Sequence, residues 1–244
     1  MNAISRPSSH DLSSGGVALV GAGPGDPELL TLKAVRVIGQ ATLLLVDDLV
    51  SDEILAYAHP DARVVHVGKR GGCKSTPQAF IEKLMIMAAR EGERVVRLKG
   101  GDPFIFGRGG EEKEHLEAAG VSVEVVNGIT SGLAAVTSLG VPLTHRDHAH
   151  GVVFMTGHAQ SGQGVDWPLM ARTAAQARLT LVIYMGISNA AEIQQQLLTG
   201  LPASTPVAIV KHASRPEQRH AVAQLGQLVD TLQREDLGLS LIHI

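Results

Sequence analysis

The residues best placed to do chemistry lie in one run, Val95-Val96-Arg97-Leu98-Lys99-Gly100-Gly101-Asp102-Pro103-Phe104-Ile105-Phe106-Gly107-Arg108-Gly109-Gly110-Glu111-Glu112. A largely apolar strand empties here into a loop. Glycines at 100, 101, 107, 109 and 110 let its backbone turn sharply and approach a ligand closely. Asp102, Arg108, Glu111 and Glu112 sit among those glycines, where a passive connection needs only small polar residues. A helix starting near Gly109 sets Arg108 and Glu111 three residues apart, on one surface. That density of opposed charge marks a ligand loop.

Two more ionisable residues close strands. Asp47 follows the apolar run Thr42–Val46, and Lys69 follows Arg63–Val67. Ligands bind outside the carboxyl ends of parallel strands, so Asp47, Lys69, Asp102 and Arg108 share the expected functional edge. The run Gly21-Ala22-Gly23-Pro24-Gly25-Asp26 resembles a nucleotide loop only in part. The dinucleotide fingerprint requires a third glycine where Asp26 stands, and an acidic residue there repels phosphate. A nicotinamide-dependent oxidoreductase is therefore a weak alternative. His145, His148 and His150 lack an established ligand spacing and read as surface or structural histidines, so no metal is expected.

The elements that must position these groups alternate. Strands read at Val17–Val20, Thr42–Val46, Arg63–Val67, Val95–Leu98 and Val121–Val126. Helical spacing falls at Leu29–Ile38, Phe80–Ala89, Gly110–Ala119 and Ser131–Ser138. The alternation restarts after Asp147, with strands at Val152–Thr156, Leu179–Met185 and Val207–Val210 and helices at Trp167–Ala177, Ser188–Leu198 and Ala221–Gln233. This pattern predicts an α/β protein with largely parallel sheets flanked by helices. The expected organisation is a flexible tail over 1–16, an N-terminal α/β domain over 17–147 and a C-terminal one over 148–238. The hexapeptide 239–244 carries no turn or cap signal and is expected to lie outside the fold as a foreign or truncated tail.

Composition narrows the class. Of 244 residues, 44% are hydrophobic, 18% charged and 3% aromatic, the balance of an aliphatic-cored soluble enzyme. A single cysteine, Cys73, excludes a disulfide framework and points to a reducing, cytoplasmic setting. No apolar run approaches the roughly 20 residues of a membrane span. The net charge of −3 argues against nucleic acid as a partner. Between Arg63 and Lys113, however, eleven Lys and Arg stand against six Asp and Glu, a local surplus suited to an anionic small molecule.

Taken together, the motifs resemble those of the tetrapyrrole methylase family. The resemblance runs in family order through Val20–Asp26, Asp48–Asp52, Val67–Arg70, the Val95–Glu112 run, Asn127–Ser131, Gly140–Asp147, Thr156–His158 and Tyr184–Gly186. It implies a two-domain fold with S-adenosylmethionine held in the cleft between the domains, and no metal. The implied cofactor contacts are Pro24, Gly100, Gly101, Asp102, Ile105, Thr130, Ser131, Met185 and Ala213, with Asp102 facing the cofactor's ammonium or ribose hydroxyls. Arg108, Glu111 and Arg146 match substrate-contacting positions, and arginine suits bidentate carboxylate binding. Asp47 and Lys69 match acid–base positions, while Glu111 and Arg146 remain open alternatives to Asp47 as the base. The implied reaction is C-methylation of uroporphyrinogen III on two successive rings, through precorrin-1 to precorrin-2, by a cytoplasmic homodimer serving sirohaem or cobalamin synthesis. Another precorrin methylase, a diphthine synthase and a non-catalytic tetrapyrrole carrier are the alternatives. The chain departs from the family pattern at Asp48, where arginine is usual, and at Asn127, where proline is common.

Overall fold

A computed structural model describes residues 14–68, 76–158, 164–238 and 241–244. Lys69 and Cys73 lie outside the described residues. The chain divides into two compact units, Met1–Ile129 and Thr130–Ile244.

In the first unit, β1 (Val17–Gly21), α1 (Leu32–Gln40), β2 (Leu43–Val46), β3 (Arg63–His66), α2 (Gln78–Arg90), β4 (Val95–Lys99), α3 (Gly109–Ala118) and β5 (Val123–Val126) follow in order. The strands form one sheet, β3-β2-β4-β1-β5, parallel throughout. β1, β2 and β4 are buried on both faces, which is why they read as continuous apolar runs. Thr31 caps α1 by accepting the Ala34 N–H at 3.1 Å. Ala34, Val37 and Ile38 of α1 pack with Val20, Leu44 and Leu98 on one face of the sheet. Ile81 and Met85 of α2 and Leu116 of α3 pack with Leu19, Leu45 and Val95 on the other. The helix after β1 and the helix after β4 thus leave neighbouring strands toward opposite faces. That divergence makes the carboxyl ends of β1 and β4 the switch point of the sheet, the place where ligands of such sheets bind.

The second unit contains α4 (Ser131–Ser138), β6 (Gly151–Thr156), α5 (Trp167–Ala177), β7 (Leu179–Tyr184), α6 (Ala190–Leu197), β8 (Pro206–Lys211), β9 (Arg219–Gln224), α7 (Leu228–Arg234) and β10 (Leu241–His243). Its sheet, β6-β7-β10-β8-β9, departs from the parallel expectation, because only β6 and β7 run parallel. Asp166 caps α5 at 2.9 Å, immediately before Trp167-Pro168.

Three readings of the sequence are corrected by this unit. The units meet at Ile129/Thr130 rather than after 147, because α4 packs on β7 and β10. Ala221–Gln224 belongs to β9, paired antiparallel with β8, so the helix begins only at Leu228. Finally, the closing residues are not outside the fold. Leu241–His243 is the central strand, with Ile242 fully buried between Ile183 and Ile209.

Candidate active site

Three glycine segments of the first unit meet backbone to backbone at the carboxyl edge of its sheet. Gly101 donates its N–H to the Gly23 carbonyl at 2.7 Å, and Gly23 returns one to Gly101 at 3.2 Å. Both have left-handed φ values, 70° and 68°. A Cβ on Gly128 would strike the Gly101 carbonyl and the Gly21 backbone, so the turns after β1, β4 and β5 close only as glycine. Pro24 and Gly100 sit in the same turns. Asp26 stands where the dinucleotide fingerprint requires a third glycine, and its carboxylate accepts the Glu28 N–H at 2.8 Å.

Asp102 is the tie between these turns. Its Oδ1 accepts the Phe104 N–H at 2.8 Å. Its Oδ2 accepts the Gly128 N–H at 3.1 Å and the Asn127 amide at 3.2 Å. The residue is buried, and three of roughly four acceptor positions on the carboxylate are used inside the unit. Asn127, a departure from the family pattern, thereby has a task that proline could not perform. Beyond Asp102 the loop exposes Phe104, Ile105 and Phe106, an apolar patch next to the glycine turn.

Arg108 begins α3 with φ 58°, and Phe106 has φ 54°. Non-glycine residues held there cost about 1–3 kcal/mol each, and such strain gathers at functional sites. The Arg108 guanidinium meets the Glu111 carboxylate with Nε at 3.0 and 3.2 Å from its two oxygens. Hydrogen bonding to Arg108 holds the Glu111 carboxyl below the usual carboxylate range, and the same bond raises Arg108. Both side chains are half exposed, so the pair adds little stability and presents a paired charge to solvent.

Beneath this edge lies a group that reading by motif missed. Arg97 and Lys99, alternate residues of β4, point to the α2/α3 face and meet Glu112. Arg97 Nε is 3.3 Å and Lys99 Nζ 3.1 Å from Glu112 Oε1, which also accepts the Gln78 amide at 2.9 Å. Arg97 Nη2 lies 3.3 Å from Asp47 Oδ2 at the end of β2. Burial, then the neighbouring Arg97 cation, push Lys99 below the ordinary ammonium value, opposed by Glu112 and Asp47. The cations were visible as Arg and Lys within an apolar strand. Since both are interior, part of the local basic surplus is not surface charge at all.

In the second unit, of the expected cofactor residues, Thr130 and Ser131 sit at the start of α4, Met185 follows β7 and Ala213 follows β8. The buried Tyr184 hydroxyl, at the end of β7, accepts the Gly132 N–H at 2.9 Å and lies 2.8 Å from Thr130 Oγ1. Burial raises its pKa. A Cβ on Gly132 would strike that hydroxyl. Met185 follows with φ 54° and an exposed side chain, after Arg108 the second expected site residue in the left-handed region. Ala213 packs with Ala135 of α4 and Val210. Ser131 is the first residue of α4. Arg146 is exposed in a separate loop, where Thr144, His145, Arg146, Ala149 and His150 line a shallow concavity. The His145 and His148 rings stack there at 4.7 Å. Among the described residues no cluster of three or more His, Cys, Asp or Glu is placed to hold a metal ion. Among them, too, no helix is long and apolar enough to cross a membrane.

The chain is thus an α/β protein of two units, one on a parallel sheet with glycine turns at its carboxyl edge and one on a mixed sheet. The family model for Tetrapyrrole (Corrin/Porphyrin) Methylases matches residues 16–229, and the chain belongs to that family. It is 53% identical over 217 residues to a uroporphyrinogen-III C-methyltransferase of Pseudomonas aeruginosa, covering 88% of this chain and 86% of that protein. It is also 50% identical to siroheme synthase 3 of Aeromonas hydrophila, covering 88% of this chain but 46% of that longer protein. Among solved structures, the native uroporphyrin III C-methyl transferase of Thermus thermophilus aligns with TM-score 0.78 and 41% identity, covering 93% of this chain and 91% of that one. A Thermus thermophilus structure complexed with S-adenyl homocysteine aligns with TM-score 0.76 and 42% identity, covering 93% of this chain and 96% of that one.

Proposed function

We propose that this chain methylates carbon atoms of uroporphyrinogen III, using S-adenosylmethionine, on two successive rings to give precorrin-2 by way of precorrin-1. The observation that carries this reading is the cluster of glycine turns at the carboxyl edge of the first sheet. These turns are locked by the Gly23–Gly101 hydrogen bonds and by Asp102, and the same loop exposes apolar side chains and the Arg108–Glu111 pair. The named activities of the relatives support the same substrate.

The residues present fit such a cofactor. Backbone groups of Gly100, the remaining acceptor of Asp102 and the exposed side chains of Ile105 and Met185 offer polar and apolar contacts, while Gly101, bonded to Gly23, shapes the turn that presents them. Pro24, Thr130, Ser131 and Ala213 complete the proposed set. When bound, S-adenosylmethionine supplies an electrophilic methyl group on sulfonium; the electron-rich pyrrole carbon is the nucleophile, so no serine or cysteine nucleophile is needed. The chain's task is orientation, worth several kcal/mol in reactions of this kind. Arg108 and Arg146 hold substrate carboxylates as planar forks. Asp47, Lys69, Glu111 and Arg146 are the candidates for moving the proton that the macrocycle must lose. The family resemblance supports a cytoplasmic homodimer whose product feeds sirohaem or cobalamin.

Anaerobic incubation with uroporphyrinogen III and S-adenosylmethionine tests the proposal. Growth of a precorrin chromophore dependent on both compounds is expected. Substrate left unchanged by folded, cofactor-binding protein would contradict it.

A further inference from the structure

The charged group buried under β4 is not accounted for by the fold. The α2/α3 face of the first sheet is otherwise aliphatic, packed from Leu19, Leu45, Met85 and Leu116. Into it the chain inserts Arg97, Lys99 and Glu112, whose side chains are 3%, 4% and 0% exposed. Replacing buried ion pairs by apolar residues is often neutral or stabilising, so stability alone does not call for these groups.

Their connections run in one direction. Three of the Arg97 contacts go to buried partners: Nε to Glu112 at 3.3 Å, and Nη1 to the carbonyls of Leu45 at 3.4 Å and Leu98 at 3.3 Å. Nη2 is left to Asp47 Oδ2 at 3.3 Å. The charges agree. Glu112 neutralises one of the two cations, Arg97 or Lys99, and the remaining positive charge is matched by Asp47. Asp47 is the one member of the group with substantial access, its side chain 34% exposed. Its N–H is fixed to Leu98 O at 3.1 Å, the carbonyl that also receives Arg97. Nearby, Leu49 packs where a Cβ on Gly100 would stand, so the Asp47 segment borders the glycine turn after β4.

We propose that Arg97 is a positioning residue for Asp47, and that the Glu112–Lys99 pair holds Arg97 in the orientation this requires. The inference deepens the proposed function and rests on the reading of Asp47 as an acid–base group. Arg97 does not touch substrate; it fixes and charge-balances the carboxylate that would.

The test is a double-mutant cycle on the full chain, Arg97→Met against Asp47→Asn. It reads kcat, KM for uroporphyrinogen III, calorimetric Kd for S-adenosylmethionine, and the melting temperature. Misplacing a reacting group can cost about 100-fold. Arg97→Met is therefore expected to lower kcat about 10- to 100-fold, with KM and Kd changed less than about twofold. Arg97→Lys, which keeps the cation, should recover part of that loss. In the Asp47→Asn background, Arg97→Met should lower kcat no further, the coupling expected when one residue acts through another. An equal fractional loss in both backgrounds would overturn the proposal, as would a loss carried by Kd. Should Arg97→Met not fold, Glu112→Gln keeps the shape, loosens Arg97 and enters the same cycle. An Asp47→Asn enzyme with unchanged kcat would instead overturn the acid–base reading itself, an outcome distinct from additivity.

Discussion

Removing the Asp102 carboxylate should weaken cofactor binding and stability together, because the structure makes it the fastener of the turns as well as the carboxylate of the turn after β4. Asp102→Ala strips the acceptor from two backbone N–H groups, Phe104 and Gly128, and from the Asn127 amide. Hydrogen bonds to a charged group contribute about 1.5–3 kcal/mol each. Counting only the two backbone donors at the lower figure gives a loss of about 3 kcal/mol. For a chain of this size that corresponds to a fall in Tm of roughly 6–12 °C. Asp102→Asn should recover little, since its amide would turn an N–H toward donors already aimed at that position. With the turns untied, affinity for S-adenosylmethionine should drop at least about tenfold, the equivalent of about 1.4 kcal/mol. Differential scanning calorimetry of the apo protein and isothermal titration with the cofactor measure the two effects separately. An affinity loss with Tm unchanged to within about 2 °C would refute the fastening role and leave Asp102 as a direct ligand alone. Loss of Tm with affinity intact would refute the link between the turns and the cofactor.

Arg146→Lys keeps the charge but loses the planar fork, so turnover should fall about tenfold or more while cofactor affinity survives; parallel loss of both would indicate a structural role. Tyr184→Phe should cost about 1–3 kcal/mol by freeing the Gly132 N–H. Burial raises the folded Tyr184 above the ordinary phenol value of 10.0, so above that pH the unfolded chain loses a proton that the native one keeps. This contribution to stability is therefore present below 10.0 and declines as pH rises past it, and Tyr184→Phe should lack that part of the decline in denaturant titrations. Ile242→Ala should destabilise the second unit by about 2–5 kcal/mol, since Ile242 is fully buried between two strands; a change below about 0.5 kcal/mol would show that the central strand is dispensable.

What the sequence made legible was local. β1, β2 and β4 are apolar runs buried on both faces, and the Arg108–Glu111 pair follows from helical spacing once α3 begins at Gly109. The misread parts depend on distant partners. Arg219–Gln224 has helix-favouring Ala and Gln and becomes a strand only through its register with β8. Leu241–His243 is too short to announce a strand, and its place is set by β7 and β8 on either side. The same holds within the candidate site. Asp102 stands out among its glycines, but its fastening of Asn127 and Gly128 spans some 25 residues that no motif connects. Arg97 and Lys99 are visible as charges in a strand, while Glu112 and Asp47 reach them only through the packing of α3 and the pairing of β2 with β4.

The central claim, transfer of methyl groups to two ring carbons of one macrocycle, is tested most directly by mass spectrometry of the product. Uroporphyrinogen III would be incubated anaerobically with the protein and S-adenosylmethionine labelled with deuterium in its methyl group. The account predicts two labelled methyl groups per macrocycle, both bound to carbon, with a singly labelled species rising and falling before them. Label on a carboxylate oxygen, a single methyl group as the end point, or no transfer by protein that binds both compounds would contradict it.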